Sequence, residues 1–308
     1  MECKTNDRGV DRGDCLQRNS IERNLMDGSR IGCHFYSTYL LVLYRTTMPR
    51  RINPYNLPYS DEDTYKPYTL PKKCKRVLLL PDVHVPYHNV AALTAAIQYG
   101  VDNNADTILI NGDFLDCYSI SSFEKDPRRR GFAEELRMGR SILQTLRNVF
   151  PKAHFIYQLG NHEDRYERFM KSKAPELLGI DEFEINNLLW ADKYKMDVVR
   201  DKRYIEAGKL TIMHGHEITG ASSNSPARAL YNKAKTPTIC GHHHQSGEHT
   251  ERNVRGKVVT CWTMGCLSEL TPAYRPINKY NHGFAFVKFK TGDRYEVQNK
   301  RIVDGKVV

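Results

Sequence analysis

RVLLLPDVH, residues 76–84, is a continuous aliphatic run that ends in an acid and a histidine. A run that is apolar at every position, rather than at every second one, is the pattern of a strand covered on both faces. The period then changes: VAALTAAIQYGV (90–101) spaces its apolar residues as a helix does, and DTILINGDFLD (106–116) returns to a buried strand. Strand, helix and strand predict a βαβ unit and hence a parallel sheet. AEELRMGRSILQTLRNVF (133–150) reads as the next amphipathic helix and AHFIYQLGNHE (153–163) as the third strand. KLTIMHGHE (209–217), TPTICGHHH (236–244), GKVVTCWTMG (256–265) and GFAFVKFK (283–290) predict further strands on shorter connections, so the second half is richer in β-structure.

Upstream the texture differs. Residues 1–47 mix charges with Asn, Ser and Gly and keep no helical or strand period, which predicts disorder or an upstream extension of the reading frame. Residues 48–75 are rich in Pro and Tyr and read as a linker, so the folded domain is expected over 76–308. The formal charge of +10 and pI near 9.1 suit an anionic partner. The eight cysteines are scattered without a CxxC pair, the pattern of a reduced cytoplasmic chain. YLLVLY (39–44) is far shorter than the roughly 20 residues of a spanning helix, so no membrane insertion is expected.

Five predicted strand ends carry residues that bind metals: Asp82 and His84, Asp113 and Asp116, Asn161 and His162, His214 and His216, and the run His242–His244. Taken singly, each has a bland reading as a turn, a strand stop or a helix cap. Ligands in open α/β sheets bind beyond the carboxyl ends of strands, so five such clusters are placed to converge. In their order, DVH (82–84), GDFLD (112–116), GNHE (160–163), HGH (214–216) and GHHH (241–244) resemble the five motifs of the calcineurin-like metallophosphoesterases, over roughly residues 76–250.

The resemblance implies an α/β fold, a four-layer αββα sandwich of two mixed β-sheets, with a dinuclear metal site at the strand ends. Asp82, His84 and His244 would hold one ion and Asn161, His214 and His242 the other, with Asp113 bridging through its two oxygens. Two divalent ions, Mn, Fe or Zn by the nitrogen and oxygen ligand set, are expected. His243 is expected to point away along an extended segment, and Gly160 to allow a tight turn at Asn161. A hydroxide bridging the metals would attack phosphorus, His162 would protonate the leaving oxygen and Asp116 would orient it. Arg165, His216 and His88 are candidates for contact with the substrate.

The chain departs from the Ser/Thr protein phosphatase branch, where GDxxD continues with Arg-Gly; here Cys117 and Tyr118 follow. A phosphodiester, in nucleic acid or a nucleotide, is therefore favoured. Arg128, Arg129, Arg130, Arg137 and Arg140 follow the second motif and could track a nucleic-acid backbone, or form a solvated face. The alternatives are a phosphomonoesterase acting on a small metabolite or phosphoprotein, a silent scaffold of the same fold, and an unrelated zinc module, the last disfavoured by the lack of spaced cysteines. Elemental analysis tests the shared ligand: Asp113→Asn should lower occupancy of both sites, whereas Asp82→Asn should deplete mainly one.

Overall fold

The computed structural model describes residues 53–62, 65–126, 128, 131–218 and 225–308. The expectation for 1–47 lies outside the described residues. The chain divides into two units, Met1–Asp63 and Thr64–Val308. In the first, residues 53–62 form no helix or strand, and the Asn53 side chain closes a turn on the backbone of Leu57 with two bonds of 2.8 Å.

The second unit contains two mixed sheets. In one, β2 (Arg76–Pro81), β3 (Thr107–Asn111), β4 (His154–Gln158) and β5 (Met196–Val199) run parallel. Beside β2, the antiparallel β11 (His282–Phe289), β12 (Tyr295–Val303) and β13 (Lys306–Val307) complete seven strands. The other sheet has the order β1 (Tyr68–Thr69), β6 (Ile205–Ala207), β7 (Leu210–Met213), β8 (Thr238–Cys240), β10 (Val258–Thr263) and β9 (Gly247–Arg252). Strand β1 pairs with β6 through Tyr68 and Thr69, so a strand lies within the segment read as linker. Two residues are too short a pattern to register as a strand in the sequence.

Alternation along β2 explains its unbroken apolar run. Val77 and Leu79 join Leu109, Ile156, Ile212 and Ile239 in a core between the two sheets, while Leu78 and Leu80 face a second core with the helices. That core is closed by α1 (Val90–Asp102), α2 (Phe132–Val149) and α3 (Glu163–Lys173). A one-turn helix, α4 (Ile185–Leu188), follows, and α5 (Pro226–Ala234) covers the outer face of the second sheet through Leu230 and Tyr231 against Val259 and Cys261. Helix, sheet, sheet and helix make four layers, as the motifs implied. Asn89 caps α1 by accepting from Ala92 N at 2.9 Å.

Strands β2, β3, β4, β7 and β8 all end at one edge, and Asn111 at the tip of β3 stitches it. Its amide donates to Gln158 Oε1 at 2.8 Å and to the Met213 carbonyl at 3.0 Å, and its oxygen accepts from Gly241 N at 3.1 Å. Every hydrogen-bonding group of this buried side chain is thereby used across both sheets.

One acid of α2 is buried without an ion pair among the described residues. Glu135 accepts from Cys117 N at 2.7 Å, yet burial, with Asp116 and Glu163 nearby, pushes its carboxyl from an ordinary 4.5 up to about 8. A carboxyl that is neutral in the fold and ionised when unfolded stabilises fully below the unfolded value. That contribution is lost as pH rises through the folded one, at up to about 1.4 kcal/mol per pH unit. Glu135→Gln keeps an acceptor and removes the titration. Chemical unfolding at pH 5 and pH 8 should show the variant gaining on the wild type by a few kcal/mol as pH rises; a difference that stays flat would disprove the assignment.

Candidate metal centre

Beyond the five strand ends the chain turns abruptly. Asp82, His84, Asp113, His242 and His244 all adopt left-handed backbone with φ between 48° and 65°. For residues with a Cβ this costs about 1–2 kcal/mol each. The GHHH segment is accordingly not an extended strand: β8 stops at Cys240, His243 N bonds back to the Gly241 carbonyl at 2.7 Å, and His243 lines the same cavity as its neighbours. The kinks, not strand alternation, send His242 towards Asp113 and His214, and His244 towards Asp82 and His84.

Glycines let the loops touch. A Cβ on Gly112, itself at φ +73°, would fall 2.2 Å from His214 Nδ1, and one on Gly160 would fall 2.2 Å from Asp113 Oδ1. Gly160 is thus required for close approach and not for a left-handed turn. The loops also share backbone bonds, His84 N to the Asp113 carbonyl at 2.9 Å and Asp116 N to the Val85 carbonyl at 3.0 Å.

Two groups of ligand-type atoms result, Asp82 with His84 and His244, and Asp113 with His214 and His242, the atoms of each lying within 4.8 Å of one another. His244 Nε2 is 3.2 Å from both His84 Nε2 and Asp82 Oδ1. His214 Nε2 is 3.2 Å from Asp113 Oδ2 and 3.2 Å from Asn161 Oδ1. Atoms about 2.1 Å from a common ion stand roughly 3.0–3.4 Å apart in octahedral or tetrahedral shells, so the spacing fits divalent metals. Protonation geometry agrees: His214 Nδ1 donates to the Asn111 carbonyl at 2.9 Å, which turns an Nε2 lone pair towards two acceptor oxygens. Only a proton or a metal reconciles three acceptors at one point.

Asp113 uses its two oxygens differently. Its Oδ1 accepts from His162 N at 2.8 Å, so Oδ2 alone faces His214 at 3.2 Å and His84 at 3.9 Å. Burial would raise the Asp113 and Asp82 carboxyls, but the imidazoles beside them, His214 and His244 respectively, outweigh it and hold both low. Burial disfavours a His214 cation, yet Asp113 and Asp82 lift it to about 10. His242, where burial and His214 act together, falls to about 3.

A third cluster joins His84, Asp116 and His162. Asp116 Oδ2 is 3.1 Å from His84 Nδ1 and 3.5 Å from His162 Nδ1, while the closer partner of His162 Nδ1 is the Asp116 carbonyl at 2.8 Å. Asp116 therefore holds His162 chiefly through its backbone. Arg165 lies over the same pair, donating to the Asp116 carbonyl at 3.0 Å with Nη2 2.9 Å from His162 Nε2. His216 is half-buried 3.6 Å from Asp164 and lines a cavity beside the centre. His88 is not brought in: it bridges Ser268 next to the cap of α1 and lines neither cavity at the centre. Arg140 instead donates to the Leu188 carbonyl, Arg128 pairs with Asp126, and with Arg137 they lie outside both cavities; Arg129 and Arg130 fall outside the described residues.

The sequence reading missed Glu163. This buried carboxylate accepts from Asp113 N and Leu115 N at 3.0 Å, Gly160 N at 2.7 Å and Tyr157 Oη at 2.6 Å, and so clamps the second motif to the third. Each buried N–H left without its acceptor costs about 1–3 kcal/mol. A glutamate on the first turn of α3 looks like a cap, and only its place in GNHE hinted otherwise.

With His214 and His244 both held above the ordinary histidine value by neighbouring carboxylates, metal and protons compete for the same lone pairs. Titrating metal-free protein with Mn²⁺ at pH 7 in two buffers of different ionisation enthalpy should reveal one to two protons released. Apparent affinity should rise about tenfold per pH unit for each proton displaced. Binding without proton release would contradict this account.

Residues 75–264 match the family described as calcineurin-like phosphoesterase. Two phage proteins are similar: the Gene 54 protein of Mycobacterium phage L5 is 28% identical over 183 residues, 56% of this chain and 70% of that protein, and the Gene 54 protein of Mycobacterium phage D29 is 26% identical over 182 residues, with the same coverage. Among the described residues no helix is long and apolar enough to cross a membrane. With the matched segment spanning both ligand groups, the chain belongs to the calcineurin-like phosphoesterases, metal-dependent hydrolases of phosphoric esters.

Proposed function

We propose that this enzyme hydrolyses phosphodiesters. The observation that carries the reading is the pair of cavities, about 870 Å³ and 680 Å³, that meet at Asn161 and His242. A diester has two organic arms on one phosphorus, and a centre open on both sides has room for both; a monoester uses one. The position at which the protein phosphatase branch carries arginine supports it too, since Cys117 is fully buried and offers the substrate nothing.

Asp82, His84 and His244 would hold one ion and Asn161, His214 and His242 the other, with Asp113 Oδ2 between them. The ions, when bound, supply Lewis-acid activation of water and of the phosphoryl oxygens. The proton for the leaving oxygen falls to His162. Burial disfavours its cation, but Asp113 and Asp116 outweigh that effect and raise its pKa, which favours the form a general acid needs. Its Nδ1 is fixed by the Asp116 carbonyl, leaving Nε2 towards the cavity that also holds His84 and His244. In the neutral ring Arg165 Nη2 donates to the Nε2 lone pair at 2.9 Å; once Nε2 is protonated both groups are donors, and the guanidinium has to turn aside for the two to reach an ester oxygen. His216 lines the opposite cavity and suits the other arm.

Two measurements test this. With a panel of diesters and monoesters, kcat/KM should favour diesters; a preference for monoesters would return the runner-up reading, a phosphomonoesterase. His162→Asn should slow an alkyl ester by about 10²- to 10⁴-fold, because its leaving oxygen becomes strongly basic. A nitrophenyl ester, whose leaving group is stable as an anion, should slow far less, with metal content unchanged. Equal losses on both esters would make His162 a phosphate-positioning group instead.

A further inference from the structure

The wall of the smaller cavity is built by chain beyond the family segment. Residues 270–281 carry no regular secondary structure, yet Tyr274, Arg275, Lys279 and Tyr280 share that cavity with His84, His162 and His244. The wall is pinned to the centre by its own polar bonds. Asn278 donates to the Leu270 and Arg275 carbonyls at 2.7 and 2.8 Å and accepts from Tyr280 N at 2.8 Å. Asn281 N bonds the carbonyl of His244 at 2.9 Å, and the Asn281 side chain accepts from Ser246 N at 2.8 Å. These bonds hold the loop against the segment that carries His244.

Its aromatic rings are not equivalent. Tyr280 packs against the His244 ring at 4.6 Å and has the Arg275 guanidinium 5.7 Å from its centroid, so its ring is already partnered. Tyr274 is 74% exposed, while its phenol end lies beside that of Tyr280 and within the field of Asp116 and Arg165. A ring of this exposure, with its polar end beside another phenol, keeps an open surface at the cavity wall. Such a ring is ready to stack a flat partner. Arg275 and Lys279 beside it add cations suited to a phosphate.

We propose that Tyr274 is the stacking platform of a nucleobase subsite, which receives the nucleoside on the leaving oxygen of the scissile phosphodiester. The inference rests on the phosphodiesterase reading and adds the chemical class of the leaving arm. His162 lines the same cavity, so a nucleoside seated on Tyr274 would present its ester oxygen to the proposed acid. Stacking and phosphate contacts are common to a base within a strand and a base of a dinucleotide.

Tyr274→Ala and Tyr274→Phe separate the ring from its hydroxyl. Binding of a dinucleoside monophosphate to metal-free protein, measured by calorimetry where no turnover occurs, should weaken about tenfold or more in the Ala variant and recover in the Phe variant. With metal restored, the kcat/KM ratio of that dinucleotide to 2-hydroxyethyl methyl phosphate, a diester without a ring, should fall by a similar factor in the Ala variant alone. Unchanged binding in Tyr274→Ala, or an unchanged ratio, overturns the subsite. If the wild type cleaves neither diester, the phosphodiesterase reading falls, and the metal-free binding still decides the subsite. A tetranucleotide that binds wild type more tightly than the dinucleotide, with the same loss in Tyr274→Ala, supports the subsite and assigns it to a strand; equal affinity with that loss supports it for free dinucleotides.

Discussion

Four carboxylates, those of Asp82, Asp113, Asp116 and Glu163, are buried at the edge where the two sheets end, and compensating their charge is the constraint on which the rest of the structure depends. Burying an uncompensated carboxylate is expensive, so each needs donors or cations within a few ångströms. Glu163 takes backbone N–H groups and a phenol, Asp82 takes His242 N at 2.9 Å, and Asp113 spends one oxygen on His162 N. What remains faces imidazole lone pairs, and that remainder is a demand for cations. The same deficit lifts His214 to about 10 and makes the site a metal trap.

Meeting that demand dictates the backbone. Groups from five strands reach one volume only if the loops after them touch, which explains a glycine where a Cβ would strike His214 and another where it would strike Asp113. Left-handed residues at Asp82, His84, Asp113, His242 and His244 store strain that the two-sheet core, stitched through Asn111, is rigid enough to hold.

The centre divides its surroundings by chemistry. On one side, charged residues of α3, together with Lys202 and His216, line the larger cavity. On the other, His84, His162 and His244 lie beneath a wall of tyrosines and cations from residues outside the family segment. The matched segment thus carries both ligand groups, and residues after it line one of the two cavities beside them.

Sequence by itself determined the layers and which side chains stand at the strand ends. The unbroken run RVLLLP required burial on both faces, and the structure divides it between an inter-sheet core and a helical one. The ordered motifs sufficed for the family because metal chemistry restricts which side chains can stand at each strand end. Tertiary structure alone decided which atoms face which. Glu163 could not be told from an N-terminal cap, because its partners lie up to 50 residues away. Asn111 carried one faint signal, a polar residue ending the apolar strand TILIN, and nothing in its neighbourhood named Gly241 or Met213 as partners. His88 looked like a site residue until the cap at Asn89 fixed where α1 begins, and Tyr274 looked like loop until the bonds of Asn278 and Asn281 carried it over the centre. Periodicity records which face of an element is buried; it does not record what lies opposite that face, and at this edge the chemistry depends on what lies opposite.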